Sequence, residues 1–123
     1  MIYTSYFGQM KNFPKNFEPI CIARWKPKWY HGKTLIALAP SEALLNWWRN
    51  CAQDKEARRV YAQRYYQEVL SKHTPTQIKK MVKDVAGNKT PVLLCFEKRG
   101  TFCHRNILRV WLRMNGIDCE EWE

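Results

Sequence analysis

The sequence predicts an α/β domain built on a mostly parallel sheet, and three observations carry that prediction. Strand-like runs stand near both ends of the chain, at Ile2 to Phe7 and Val92 to Phe96, while the middle has the apolar spacing and caps of helices. Residues 91–116, PVLLCFEKRGTFCHRNILRVWLRMNG, pass from a buried strand through a short polar loop into a helix with one apolar face. At 123 residues the chain can bury one real core and has no room for a second, so a single domain over 1–123 is expected.

Taken in order, Ile2 to Phe7 (IYTSYF) alternates and is rich in aromatic and β-branched residues, which predicts a first strand ending at Gly8. Asn12 to Glu18, with Pro14, reads as a loop, and Ile20-Cys21-Ile22-Ala23 as a second buried strand with Arg24-Trp25 at its end. Lys26-Pro27-Lys28-Trp29-Tyr30-His31-Gly32-Lys33 is a loop that interleaves basic and aromatic residues. Leu35 to Leu38 is a short apolar run stopped by Ala39-Pro40. Ser41 then caps a helix through Leu44, Leu45, Trp47 and Trp48. Asp54 caps a second helix with Val60, Tyr61, Tyr65, Val69 and Leu70 on one face and Arg58, Arg59 and Arg64 on the other. A third begins near Thr74-Pro75-Thr76, carries Ile78, Met81, Val82 and Val85, and stops at Gly87-Asn88. The strand Val92–Phe96, the polar loop Lys98-Arg99-Gly100-Thr101 and the last helix follow, with Gly116 just past the helix end. Ile117 to Trp122 reads as a final strand or an ordered tail. There is no internal repeat, low-complexity tract or linker.

Composition narrows the partners. Lys plus Arg outnumber Asp plus Glu by 21 to 11, a formal charge of +10, which favours an anionic partner such as a nucleic acid, a nucleotide or an anionic membrane surface. Six Trp, six Tyr and five Phe exceed the needs of so small a core, so some aromatics are expected at the surface or in a pocket. The five cysteines (21, 51, 95, 103 and 119) follow no signal-peptide pattern, and no apolar run approaches the roughly 20 residues of a membrane span. Reduced thiols, a cytoplasmic location and no membrane association are expected.

The candidate chemistry crowds where the strand at 92–96 ends and the last helix begins, the place where open α/β sheets bind ligands. A thiol at a helix N-terminus beside His104 and Arg105 has its thiolate favoured, which makes Cys103 a candidate nucleophile; packing of the strand–helix junction is the alternative. His104 is a candidate general acid or base, or a donor to a bound phosphate. Arg105 has the planar fork that grips an oxyanion, with a salt bridge to Glu97 or a C-terminal acid as its alternative. Glu97 projects to the same side of its strand as Cys95 and suits a ribose hydroxyl, a proton transfer or a buried pair with Arg105. In the 24–33 segment, Trp25, Trp29 and Tyr30 offer stacking faces and Lys26 and Lys28 offer phosphate contacts, the mixture that suits single-stranded nucleic acid or a nucleotide; plain packing is the alternative.

Several chemistries are disfavoured. Cys95, Cys103, His104 and Cys119 are ligand types for zinc, but their spacing matches no C-x₂₋₄-C or H-x₃₋₅-H pair, so no metal and no cofactor is expected. A cysteine phosphatase loop needs an arginine six residues after its nucleophile. Thr101 holds that position after Cys95, and Arg109 holds it after Cys103 but lies inside the predicted helix. No P-loop or dinucleotide-binding glycine motif is present.

Together these residues resemble a family. Leu93-Leu94-Cys95-Phe96-Glu97-Lys98, then Cys103-His104-Arg105 and the Trp111-Leu112…Asn115-Gly116 ending, are similar to the DUF488 family of small bacterial and phage proteins. Ile2-Tyr3-Thr4-Ser5-Tyr6 and the segment Ile22-Ala23-Arg24-Trp25-Lys26-Pro27-Lys28-Trp29-Tyr30 match it too, most closely its N3 subclade. The resemblance implies a Rossmann-like α/β domain with the matched residues lining one pocket, among them Tyr3, Ser5, Cys95, Arg24 and Arg105 as anion- or substrate-binding residues. Many members carry Asp-Val-Arg where this chain has Ile22-Ala23-Arg24, so the arginine is kept and the acid is absent. The family name assigns no reaction. The expectation is a small enzyme acting on a nucleotide or nucleic-acid ligand, with a non-catalytic nucleic-acid-binding module and an inhibitor or adaptor of an acidic protein as rivals.

Overall fold

The computed structural model describes residues 1–97 and 101–123; the predicted loop residues Lys98, Arg99 and Gly100 lie outside the described residues. Five strands, β1 (Ile2–Tyr6), β2 (Phe17–Cys21), β3 (Lys33–Thr34), β4 (Thr90–Cys95) and β5 (Cys119–Glu121), form one sheet in the order β3-β2-β4-β1-β5. Every pairing is parallel, with Tyr3 opposite Val92 and Ile2 opposite Cys119 on the two sides of β1. The carboxyl ends of all five strands therefore share one edge.

The helices start where the capping residues put them. Ser41 accepts from the Leu44 N–H ahead of α1 (Glu42–Arg49), and Asp54 from the Ala57 N–H ahead of α2 (Lys55–Glu68). Thr74 and Gln77 form a reciprocal capping box with Pro75 in the first turn of α3 (Pro75–Ala86), and Gly87, at φ +66°, ends it. The last helix, α4 (His104–Met114), is capped by Cys103.

Two elements depart from the sequence reading. The second strand begins three residues early, at Phe17, and ends at Cys21, with Pro19 inside it. Its register against β4 runs from Phe17–Thr90 to Cys21–Leu94, and the Ile22 N–H adds one more bond to Leu94, so pairing on both sides outweighs the donor that proline lacks. Within the basic aromatic loop, Lys33 and Thr34 pair with Ile20 and Cys21 as the edge strand β3, too short to leave a periodic signal.

Strand alternation divides the interior. Ile2, Ile20, Ile22 and Leu93 join Leu44, Tyr65, Ile78, Val82, Leu108 and Leu112 beneath the helices. On the other face Cys21, Val92 and Leu94 are covered by Phe7, Tyr30, Phe13 and Phe17, which come from loops and from β2. Among the described residues no helix is long and apolar enough to cross a membrane.

Candidate active site

Parallel pairing brings the end of β4 and the start of α4 together at the carboxyl edge of the sheet. Cys95 closes β4, and Cys103 stands in extended backbone as the α4 cap, its sulfur accepting from the Arg105 backbone N–H at 3.4 Å. The Sγ atoms of Cys95 and Cys103 are in contact, although their Cα atoms are 7.8 Å apart, wider than the roughly 4.4–6.8 Å usual for a disulfide. Cys21, Cys51 and Cys119 are free thiols.

His104 is buried, with its ring against Tyr65 at a centroid distance of 5.6 Å. Its Nε2 lies 2.7 Å from the carbonyl oxygen of Ile22. A carbonyl only accepts, so Nε2 carries the hydrogen and Nδ1 is left bare. Nδ1 faces Cys103 Sγ at 4.0 Å. Burial lowers the imidazole pKa to about 4, with the Arg105 charge assisting and the Ile22 bond opposing. Near pH 7 this histidine is neutral, and it presents an acceptor, not a proton, to the cysteines.

Arg105 corrects one expectation. It is fully buried and does not line the pocket, so its fork does not meet a ligand there. Its Nε and Nη2 donate to Glu121 at 3.2 and 2.8 Å, its Nη1 to Cys95 Sγ at 2.8 Å and to the Glu97 carbonyl, and a longer contact of 3.7 Å reaches Cys103 Sγ. Thr4 Oγ1 donates to the same Glu121 carboxylate. The guanidinium is thus a fixed positive group beneath the two sulfurs, its charge matched by the C-terminal acid.

Above the sulfurs lies a cavity of about 320 Å³, walled by Arg24, Trp25, Trp48, Arg49, Tyr61 and Phe102 and floored by Cys95, Cys103 and His104, with Glu97 and Phe96 at its side. Arg24 is held by a bond from Nε to the Pro40 carbonyl at 3.1 Å, and Arg49 stacks over the Trp25 ring at 4.9 Å. Neither has an ion pair among the described residues. Trp48 packs against Phe102 and Tyr61 at 5.0 and 5.3 Å. Burial, with the nearby charges of Glu97 and Glu68, pushes the Tyr61 hydroxyl pKa well up, so it stays a neutral donor.

The predicted site residues separate into three groups. Cys95, Glu97, Cys103, His104, Arg24 and Trp25 meet at the cavity. Trp29 stands outside it, 58% exposed, edge-on to Phe7, which also meets the half-exposed Phe96 of the cavity rim; Lys26 and Lys28 are exposed in the same loop. The third group is displaced. Tyr30 is buried, not a stacking face: its hydroxyl donates to the Lys33 carbonyl, and its pKa is pushed up to about 12, chiefly by burial. Tyr3 and Ser5 point to the sheet face away from the helices, because strand alternation gives the helix face to Ile2 and Thr4; Tyr3 stacks on Phe17 at 5.3 Å and Ser5 is sealed in. Neither reaches the cavity.

Trp48, Arg49, Tyr61 and Phe102 were not singled out as site residues. One signal for them existed. Trp47-Trp48-Arg49 closes an eight-residue helix, and two adjacent indoles about 100° apart around a helix cannot both face the same core.

Searches of curated proteins and of solved structures give no match to this chain. A family profile described as the active DUF488-N3 subclade matches residues 9–116, a span that holds β2 to β4, the whole of α4 and every residue of the cavity. The chain belongs to the DUF488 family, in its active N3 subclade.

Proposed function

We propose that this protein is a small cytoplasmic enzyme that acts on a phosphate-bearing ligand of the nucleotide class, free or as the end of a nucleic acid. One observation carries the reading: two arginines without carboxylate partners among the described residues, and a set of aromatic faces, surround a cysteine–histidine pair in a cavity at the carboxyl edge of a parallel sheet. Arg24 and Arg49 supply the charge for a phosphate, Trp25, Trp48 and Phe96 supply faces for a base, and Glu97 supplies a carboxylate for proton transfer. Cys103, with the Arg105 N–H and guanidinium beside it, is the nucleophile candidate, and His104 Nδ1 is the acceptor nearest its sulfur. The cavity volume of about 320 Å³ suits a nucleotide-sized ligand.

The test is a thermal-shift panel on wild type and an Arg24→Ala/Arg49→Ala variant, with nucleotides, sugar phosphates, inorganic phosphate and short single- and double-stranded nucleic acids. A ligand at a hundred times its Kd adds about 2.7 kcal/mol to the native state. Stabilisation of wild type by one nucleotide and its loss in the variant are expected. Equal shifts in both proteins would refute the anion role of the two arginines.

A second reading, a non-catalytic binder of single-stranded nucleic acid, is favoured by the exposed Trp29, Trp25 and Phe96 along one edge with Lys26 and Lys28 beside them. It predicts affinity that falls steeply with salt and depends on Trp29 instead of Glu97. Pre-steady-state turnover of a panel ligand that Glu97→Gln abolishes would exclude it.

A further inference from the structure

We propose that Cys95, Cys103 and His104 form a zinc site, binding the ion through two thiolates and His104 Nδ1 and leaving a fourth position open to the cavity. Local spacing gave no hint of it, since seven residues separate the cysteines and the histidine is adjacent to the second. The fold supplies what the spacing lacks: the ligand atoms of all three lie within 4.8 Å of one another, and all three residues are buried at the cavity floor. Zinc holds nitrogen at about 2.0–2.1 Å and sulfur at about 2.3 Å, which puts its ligands roughly 3.3–3.8 Å apart, so the two sulfurs, in direct contact here, must part by about an ångström or more to admit the ion.

Three features favour an ion over a disulfide. The Cα separation of 7.8 Å is too wide for the usual bridge, while the side chains still aim their sulfurs at one point. His104 is held in the tautomer a ligand needs: Nε2 donates to the Ile22 carbonyl and the bare Nδ1 faces the sulfurs. A backbone carbonyl on the distal nitrogen is the usual outer support of a metal-bound histidine. Charge also balances. Arg105 is already neutralised by Glu121, so two buried thiolates require two further positive charges, and a divalent cation supplies them. The N–H bonds from Arg105 to both sulfurs then act as outer-shell donors to metal-bound thiolates.

Cys119, the remaining ligand type considered from the sequence, is excluded by register. It pairs with Ile2, whereas Cys95 pairs with Tyr6, four residues further along β1, a distance of about 13 Å along the strand. With three protein ligands, the fourth position belongs to water or to a ligand in the cavity, the arrangement of catalytic rather than purely structural zinc. In binding, the two thiols each release a proton, so Zn²⁺, two Cys–SH and one neutral imidazole give the neutral bis-thiolate–imidazole complex and two H⁺. This inference rests on ligand geometry: with zinc bound, Cys103 and His104 Nδ1 are ligands and no longer nucleophile and acceptor, while the phosphate and base contacts proposed for Arg24, Arg49 and Trp25 stand unchanged.

The experiment is metal titration of the reduced, chelator-treated protein. Cobalt(II) is expected to bind one equivalent per chain, with a thiolate-to-cobalt charge-transfer band and the intense visible bands of tetrahedral coordination, to be displaced by zinc, and zinc binding is expected to release two protons. Cys103→Ser and His104→Asn are expected to weaken binding by more than about 100-fold, while Cys51→Ser leaves it unchanged. Circular dichroism of each variant separates lost ligands from lost fold, and wild type alone decides the stoichiometry. An octahedral cobalt spectrum, no stoichiometric metal, or only three free thiols in protein denatured without reductant would each overturn the proposal. Repeating the nucleotide panel with and without zinc keeps the two readings apart, because metal can bind where no nucleotide does.

Discussion

Replacing Glu121 by alanine tests whether Arg105 is the structural pivot of the site. The Arg105 side chain is 0% exposed and that of Glu121 14%, and the carboxylate takes two guanidinium bonds, at 3.2 and 2.8 Å, and the Thr4 hydroxyl. Stripping one partner from a buried pair costs about 3–5 kcal/mol. The partial exposure of Glu121, and the bonds Arg105 keeps to the Glu97 carbonyl and Cys95, place Glu121→Ala at the lower end, about 3 kcal/mol. For a domain of this size that is a drop in Tm of roughly 12 °C. Urea and thermal melts measure it. An Arg105→Met/Glu121→Leu double variant, which removes both charges and keeps the volume, should recover most of the loss. Hydrogen exchange gives a local reading: β5 is three residues long, and the Trp122 N–H that donates to the Thr4 carbonyl should lose protection before the rest of the sheet. A loss below about 1 kcal/mol, typical of an exposed pair, or a double variant worse than the single, would refute the reasoning.

Two further outcomes follow from the same packing. In metal-free protein His104, at about 4 when folded and near its ordinary 6.5 when unfolded, binds its proton more readily in the unfolded chain. Its contribution is therefore present above about pH 6.5 and is lost as pH falls towards 4, by up to about 3 kcal/mol. His104→Asn should flatten that slope of stability against pH, and an unchanged slope would remove His104 as its source. Gly32→Ala would bring a Cβ to 2.6 Å from the Tyr30 hydroxyl and push it off the Lys33 carbonyl. We expect a loss of about 1–3 kcal/mol in chemical denaturation, partly relieved in a Tyr30→Phe background.

The helical half of the fold was legible because its signals are local. Ser41, Asp54 and Thr74 each bond a backbone N–H three residues on, and such contacts are written in consecutive letters. The sequence reading starts β2 at Ile20 because Asn12 to Glu18, with Pro14, has the composition of a loop, while the β4 partners that draw Phe17 to Pro19 into the sheet lie more than 70 residues away in sequence. The site was half legible for the same reason. Cys95, Glu97, Cys103 and His104 announce themselves at a strand end and helix start. Arg49 and Trp48 reach the cavity only through the packing of α1. Tyr3 and Ser5, expected in the pocket from the family resemblance, lie outside it because strand alternation gives the helix face of β1 to Ile2 and Thr4. Ligand spacing describes local loops, so it is silent on Cys95, Cys103 and His104, which the end of β4 and the start of α4 bring together.

The position of β1 has a consequence for how the molecule comes into being. Its two neighbours are residues 92–95 and 119–121, so β1 has no partner in the sheet until more than 80 further residues have been made. At roughly 5–20 residues per second, an emerging chain carries an unpaired IYTSY segment for on the order of ten seconds. Helices α1 to α3 can form in that interval, but insertion of β1 between β4 and β5 must come late, and it is this step that carries Thr4 to Glu121 and so completes the support under Arg105. A nascent chain stalled before β5 would hold its cysteines beside an Arg105 guanidinium that still lacks the acid that balances it.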